Sequence, residues 1–546
     1  MLHQVLNPTG NLGLTALAAL VPVIALLVML AVFRISAWLA TLIGSIITLI
    51  VAILIWGVPL DSGLRAYVIG SANGIQAVDW ITFWGLIIFN TLTLTGLFDT
   101  FKGWLVRQAT ADVRVQAILL AWAFGALLEG LVGFGYPWAV VAPILIALGV
   151  VEIDAIRVAA IANNAPVSYG ALGAPIIALA AVTNLSVFAL SASVGKIVAV
   201  LALLPPWVLI YLVSGRRGLR DGWPLAVVGS LAYIAGQYPV SQTLGPYLPD
   251  IIGALVCFGA LLLLLRFWRP KTVLGYGGVP LTDAGAATVA MAEIEPEEGG
   301  ERRQHTIWAA ILPFLILVAV VIAWTGPWST LGKIAPFGFK LPYAPSITAG
   351  AKKTASIAYN FSPFVAGTAI LVSWLIILAF VRPSMALIGQ IFRRTFKQMW
   401  GALLVGVFIF GLAYVFNYSG MAYSLADAFS KIGGAFLILA PIVGWIGVAL
   451  SGSNTSTNTA FGLVQLKVGQ LLGFPVLLLP SLGSVGAEVG KPVAPQTASV
   501  GVSTTKFVRD EGEVIRHNMG WTLVMLAWLI LVGLLYYFFL PNTMRL

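Results

Sequence analysis

Apolar residues run almost uninterrupted by charge over positions 14–33, 37–56, 197–213 with its flanks, 364–381 and 521–540. A helix rises about 1.5 Å per residue, so some 20 such residues cross the roughly 30 Å hydrocarbon core of a bilayer. This pattern predicts an all-α polytopic membrane protein with about 12 to 14 membrane segments, broken ones included. Two zones interrupt it, 125–180 and 448–505. There Gly, Pro, Asn, Ser and Thr crowd into greasy surroundings, as in "NNAPVSYGALGAP" from Asn163 to Pro175. Irregular backbone at membrane depth is tolerated only where protein or a watery cavity surrounds it. These zones are therefore expected to be broken or re-entrant helices.

Composition agrees. The 546 residues are 60% hydrophobic and 9% charged, with a mean hydropathy of +0.98. So few charges do not cover a water-facing surface. The net charge of +10 reads as topology and not as a nucleic-acid interface. If the loops alternate sides, one set holds 19 Lys and Arg, among them Arg34, Lys102, Arg114, Arg217, Arg266, Arg394 and Lys506, and the other holds 7. The positive-inside rule makes the first set cytoplasmic and the N-terminus external. The start of the chain is polar and lacks a basic leader, so the first apolar run is read as a retained span. Cys257 is the only cysteine and is expected to be a small buried hydrophobe.

A charged, Gly-containing linker at 269–306, with "EIEPEEGGERR" at its centre, divides the chain into halves 1–268 and 307–546. Each half carries one polar zone late in its course. Glu129-Gly130 matches Ser451-Gly452 at an offset of 322, and Gly170, Ala174 and Pro175 match Gly490, Ala494 and Pro495 at 320. The helix leading to Glu129 would run outward and the one leading to Ser451 inward. That is the sign of an inverted-topology repeat, which in secondary transporters brings discontinuous helices to the bilayer midplane. The plainer reading is kinked packing helices whose small residues allow close approach.

The stretches "EGLVGFGYP", "NNAPVSYGALGAPI", "NYSG", "GSNTSTNTAF" and "GKPVAPQ" resemble the signatures of the bacterial L-lactate permease family, with further likeness in "GWPLAVV" and "GPYLPDII" and in overall length. The resemblance covers essentially the whole chain. It implies proton-coupled uptake of L-lactate, with D-lactate and glycolate as further substrates, across the bacterial inner membrane. It also implies a scaffold around a mobile transport domain, an arrangement in which a homodimer is expected. The family pattern implies Asp where this chain has Asn454, and an apolar residue where it has Glu488.

A monocarboxylate needs a cation or N–H donors, and proton coupling needs a titratable group in a gated site; ionisable residues inside a membrane are functional candidates. Glu129 and Glu488 lie within the polar zones and are the candidate proton carriers, Glu488 as the replacement for a carboxylate absent at Asn454. Lys491, at a broken-helix tip, is the candidate partner of the substrate carboxylate. Three residues separate Glu488 from Lys491, so a helical turn would pair them. Asn163, Asn164, Ser168, Tyr169, Asn454, Thr455 and Gln496 are candidate substrate hydrogen-bonding groups; the alternative is that they satisfy opened backbone or bond a carbonyl one turn back. Asn417, Tyr418 and Ser419 read as a gate or an ordinary helix end. Most of the 20 acids are assigned to loops, Arg157 with Glu152 and Asp154 to an interfacial turn, and His517 to the cytoplasmic side.

No nucleotide-binding loop, zinc-ligand spacing or catalytic triad stands out, so neither a cofactor, a metal nor an enzymatic reaction is expected. A lactate–proton symporter leads. A carrier of another short 2-hydroxy acid, a Na⁺-coupled carrier and a passive small-acid channel are the alternatives.

Overall fold

The computed structural model describes residues 2–133, 135–281, 305–345, 354–503, 505–507 and 510–546. The charged centre of the linker, 293–303, lies outside them. In lipid each backbone amide must find its partner within its own segment, so the apolar runs become helices. In the first half these are α1 (Leu12–Ala31), α2 (Ala37–Leu54), α3 (Leu60–Gly74), α4 (Trp80–Leu94), α5 (Leu97–Gln108), α6 (Val113–Gln116), α7 (Gly125–Leu131), α8 (Tyr136–Ala147), α9 (Glu152–Ala162), α10 (Gly170–Thr183), α11 (Val187–Leu201), α12 (Pro205–Thr243) and α13 (Pro249–Phe267). In the second they are α14 (Ile307–Thr325), α15 (Ala366–Val381), α16 (Met385–Ser419), α17 (Met421–Ser430), α18 (Phe436–Ser451), α19 (Asn454–Leu472), α20 (Leu478–Gly490), α21 (Pro495–Gly501) and α22 (Glu511–Phe539). Polar residues cap them where the apolar runs begin: Asn11 accepts from the Leu14 amide, Ser186 from Ala189 and Ser384 from Leu387.

Among the described residues, ten helical stretches are long and apolar enough to cross a membrane, or eleven with the bent pair Glu152–Ala162 and Val167–Thr183. One stretch, Val187–Thr243, covers 57 residues and includes the break at Gly215, where φ is +64° and ψ −164°. Tyr136–Ala147 and Ala366–Val381 are apolar helices below the usual spanning length. The chain is thus a multi-pass helical membrane protein.

It is not wholly helical. β1 (Leu2–His3) pairs in parallel with β2 (Phe337–Ala344), which pairs antiparallel with β3 (Ala355–Phe361). Gly338, Pro342 and scattered aromatics blur the alternation of β2, which is why the sequence pattern alone did not show this small sheet. The pairing sets β1 at the edge of the sheet beside β2.

Two groups of helices emerge from the packing. α16 lies against α2, α3 and α4; α15 against α4 and α14; α1 against α2. In the other group α12 packs on α13, α18 and α19 on α20, α10 on α19, and α22 on α20. Each group draws on both halves of the sequence. Between them α10 touches α4 and the π-helical turn Ile75–Asp79 that joins α3 to α4, while α16 touches α19.

Candidate functional site

Helix breaks fall in both polar zones. α7 gives way to α8 through Gly133 (φ +70°) and Gly135 (φ +75°), and α18 to α19 through Gly452 (φ +73°). α9 breaks before α10 over 163–169, and α20 before α21 at a 3₁₀ turn, Lys491–Val493. α10 itself opens with Ala171, Leu172 and Gly173 in left-handed backbone. Such strain in non-glycine residues costs roughly 1–3 kcal/mol each and clusters at functional sites.

These breaks line a cavity of about 400 Å³, with α1, α2, α4 and α16 as the opposing lining. Ligand sites typically have about 300–1,000 Å³. The cavity extends to the exposed Ser36 and Val500. Its buried end holds Glu129 and Lys491. Lys491 Nζ lies 2.6 Å from Glu129 Oε1, with the two side chains 5% and 2% exposed. Asn163 Nδ2 donates to Glu129 Oε2 at 3.1 Å. The Asn518 amide holds the turn by donating to the Pro492 carbonyl at 2.9 Å. Gly170 lets α10 pass close by, since a Cβ there would stand 2.6 Å from Glu129 Oε1.

The expected Glu488–Lys491 pair is not formed; Lys491 turns to Glu129 instead. Spacing alone would allow the helical pair, but the 3₁₀ turn begins at Lys491 and ends the shared helical face. Glu488 is fully buried off the cavity lining. Its Oε2 accepts from the Ser168 amide at 3.1 Å and from the Ser168 hydroxyl, so it joins the α20 break to the α9–α10 break.

Of the other predicted groups, Asn454, Thr455 and Gln496 line the cavity, and the buried Asn454 amide has neither atom hydrogen-bonded. α19 starts there, capped by Ser453, and its N-terminus presents partial positive charge to the cavity. Asn163 reaches the site through Glu129. Asn164 is buried off the lining with both amide atoms unpartnered. The Tyr169 hydroxyl donates to the Ser191 carbonyl at 2.6 Å, which anchors the break to α11 and takes that hydroxyl away from the cavity. Asn417 and Tyr418 close α16, their carbonyls accepting from Gln4 Nε2, and so form a helix end.

Two further buried acids stand within helical segments. Asp250, in the first turn of α13, is buried and accepts from the Tyr233 hydroxyl at 2.8 Å. Asp79 is buried within the continuous stretch Leu60–Leu94 and lines the cavity. The signal for Asp79 in the sequence is an acid inside an apolar run. Arg114, counted among loop cations, is fully buried in a 2.6 Å ion pair with Asp112. Glu152, Asp154 and Arg157, expected in an interfacial turn, lie instead in the helix α9, where Asp154 meets Arg157, His517 Nε2 at 2.9 Å and the Tyr276 hydroxyl.

The chain is similar in sequence to several known permeases. The glycolate permease GlcA of Escherichia coli (strain K12) is 32% identical over 555 residues, covering 97% of each chain. The L-lactate permease of Bacillus subtilis (strain 168) is 32% identical over 538 residues, covering 95% of each, and that of Escherichia coli (strain K12) is 30% identical over 541 residues, covering 96% of each. Among solved structures, the YdaH transporter of Alcanivorax borkumensis aligns with a TM-score of 0.42 at 15% identity, covering 86% of this chain and 88% of its own. The L-lactate permease family model matches residues 15–540, so that with these relatives the chain belongs to the L-lactate permease family.

Proposed function

We propose that the protein takes L-lactate, or a related short 2-hydroxy monocarboxylate such as glycolate, into a bacterial cell across the inner membrane together with a proton. The observation that carries this reading is the buried Lys491–Glu129 pair in the cavity wall. Burying an unpaired charge is expensive, whereas a matched pair is tolerated. An anion entering alone would add an uncompensated charge. If Glu129 takes up a proton, Lys491 is released to hold the substrate carboxylate, and the net charge of the site changes by nothing. Proton and anion then bind as a unit. The Asn454 amide and the α19 N-terminus supply further donors to the carboxylate, with Thr455 and Gln496 beside them.

In this reading the N-terminus is outside, 269–306 is cytoplasmic, and the cavity faces the cytoplasm beside Arg34 and Lys397. The halves 1–268 and 307–546 form an inverted repeat, each supplying scaffold helices (α1–α5; α14–α16) and transport helices. The transport group moves against the scaffold, which is the surface expected to dimerise. The test is uptake of labelled lactate into proteoliposomes with an imposed inward proton gradient. Accumulation should vanish when an uncoupler collapses the gradient. Equilibration alone, with or without the gradient, would instead indicate a passive facilitator, and dependence on Na⁺ a different coupling ion.

Glu488 takes a positioning role in this scheme, because its carboxylate holds Ser168 and not the cavity. Glu488→Gln keeps an acceptor oxygen for Ser168. Gradient-driven accumulation by that variant should stay within about threefold of wild type. Loss of gradient dependence with exchange intact would return Glu488 to the proton path.

A further inference from the structure

Asp79 stands apart from the Glu129–Lys491 pair and has no part in the scheme above. It closes a π-helical turn, Ile75–Asp79, set into an otherwise α-helical span. Such turns cost hydrogen-bond regularity and recur at functional sites, where they re-aim a side chain. The residue is 7% exposed, and its Oδ2 has no hydrogen-bond partner. No ion pair reaches it among the described residues. Gly406 on α16 makes the room, since a Cβ there would stand 2.1 Å from Asp79 Oδ1. Asp79 and Gly406 both line the cavity, on the helix group opposite the one that carries Lys491. The same turn packs against α10, whose Gly170 abuts Glu129.

A buried carboxylate with an unpaired oxygen, in the wall of a binding cavity, is costly unless a ligand supplies a donor. The substrate class proposed above carries one donor that Lys491 does not use, the hydroxyl on carbon 2. We infer that Asp79 is a specificity-determining residue, its carboxylate accepting the hydrogen bond of the substrate's 2-hydroxyl while Lys491 holds the substrate carboxylate. The inference rests on the transport reading and extends it to selectivity. A 2-hydroxy acid satisfies both walls of the cavity. An unsubstituted acid of the same length, such as propionate, leaves Asp79 unpaired when the cavity closes, and sites built around a substrate hydroxyl reject analogues lacking it for this reason.

The experiment is competition by unlabelled lactate and propionate against labelled lactate uptake in proteoliposomes, for wild type, Asp79→Ala and Asp79→Asn. Wild type should prefer lactate. Asp79→Ala should lower that preference by about 10- to 100-fold, chiefly by weakening lactate, with propionate inhibition changed by less than about threefold. Asp79→Asn retains an acceptor carbonyl and should keep most of the preference. An unchanged lactate-to-propionate ratio in Asp79→Ala, or equal weakening of both acids, overturns the assignment. If Asp79→Ala does not transport, ligand-induced thermal shifts of the purified variant decide: a lactate shift exceeding the propionate shift as it does in wild type overturns it, and loss of that difference supports it. Absence of lactate uptake by wild type would count against the transport reading instead, and the same thermal shifts with 2-hydroxy and unsubstituted acids would still read Asp79.

Discussion

Lys491→Gln is expected to abolish measurable lactate uptake at substrate concentrations that saturate wild type. Among the described residues Lys491 is the cation in the cavity lining, and its ammonium is 2.6 Å from Glu129 Oε1 with both side chains almost wholly buried. Removing one member of a buried, hydrogen-bonded charge pair costs about 2–5 kcal/mol, which corresponds to a loss of roughly 30- to 5,000-fold in affinity. The change also strands Glu129 beside Asn163, so folding must be measured alongside transport. Glu129→Gln/Lys491→Gln removes both charges and should recover the stability lost in Lys491→Gln, because no buried charge is left without its partner. It should not recover uptake. Lactate binding by calorimetry, with thermal unfolding of the same samples, separates the two effects. Near-wild-type affinity in a folded Lys491→Gln protein would remove Lys491 from the substrate site.

Glu129→Gln should fail differently. The neutral amide no longer neutralises Lys491, so the anion site is permanently available and substrate binding survives. What disappears is the link between anion and proton. For one-to-one symport each unit of pH gradient sustains about tenfold accumulation, since a tenfold ratio corresponds to about 1.4 kcal/mol. Glu129→Gln should bring that ratio to about one while lactate–lactate exchange continues. Wild-type uptake should rise with the imposed inward proton gradient, and the variant should lose this dependence. Accumulation and exchange measured in the same vesicles check both statements. Gradient-driven accumulation by Glu129→Gln would place the coupling proton elsewhere, with Asp250 and Glu488 the buried acids to examine next. The contrast with Lys491→Gln is the useful feature, since a merely structural pair would fail identically from either side.

The architecture was legible because its causes are local. Long apolar runs have one way to satisfy their amides in lipid, and that made the spans readable from composition and length alone. Gly, Pro, Asn and Ser interrupt helices through their own backbone preferences, so the breaks at 132–135, 163–169, 452–453 and 491–494 lie where those residues crowd. Glu129, Lys491, Asn454, Thr455 and Gln496, which line the cavity, stand out in the sequence because they lie at or beside those breaks. Distant pairing had no such local cause. Lys491 has Glu488 three residues away, yet it meets Glu129, 362 positions distant, because two broken helices from opposite ends of the chain converge on one cavity. Glu488, released from that pairing, clasps Ser168 across 320 positions. Asp79 sits in a stretch with no Gly-Pro signature, and its place opposite that pair depends on α16 presenting Gly406 beside it. Periodicity and breakers belong to a segment and its immediate solvent, so the residue order specifies them. Which buried charge faces which depends on how separate segments fill shared space, and packing settles it once the helices have assembled.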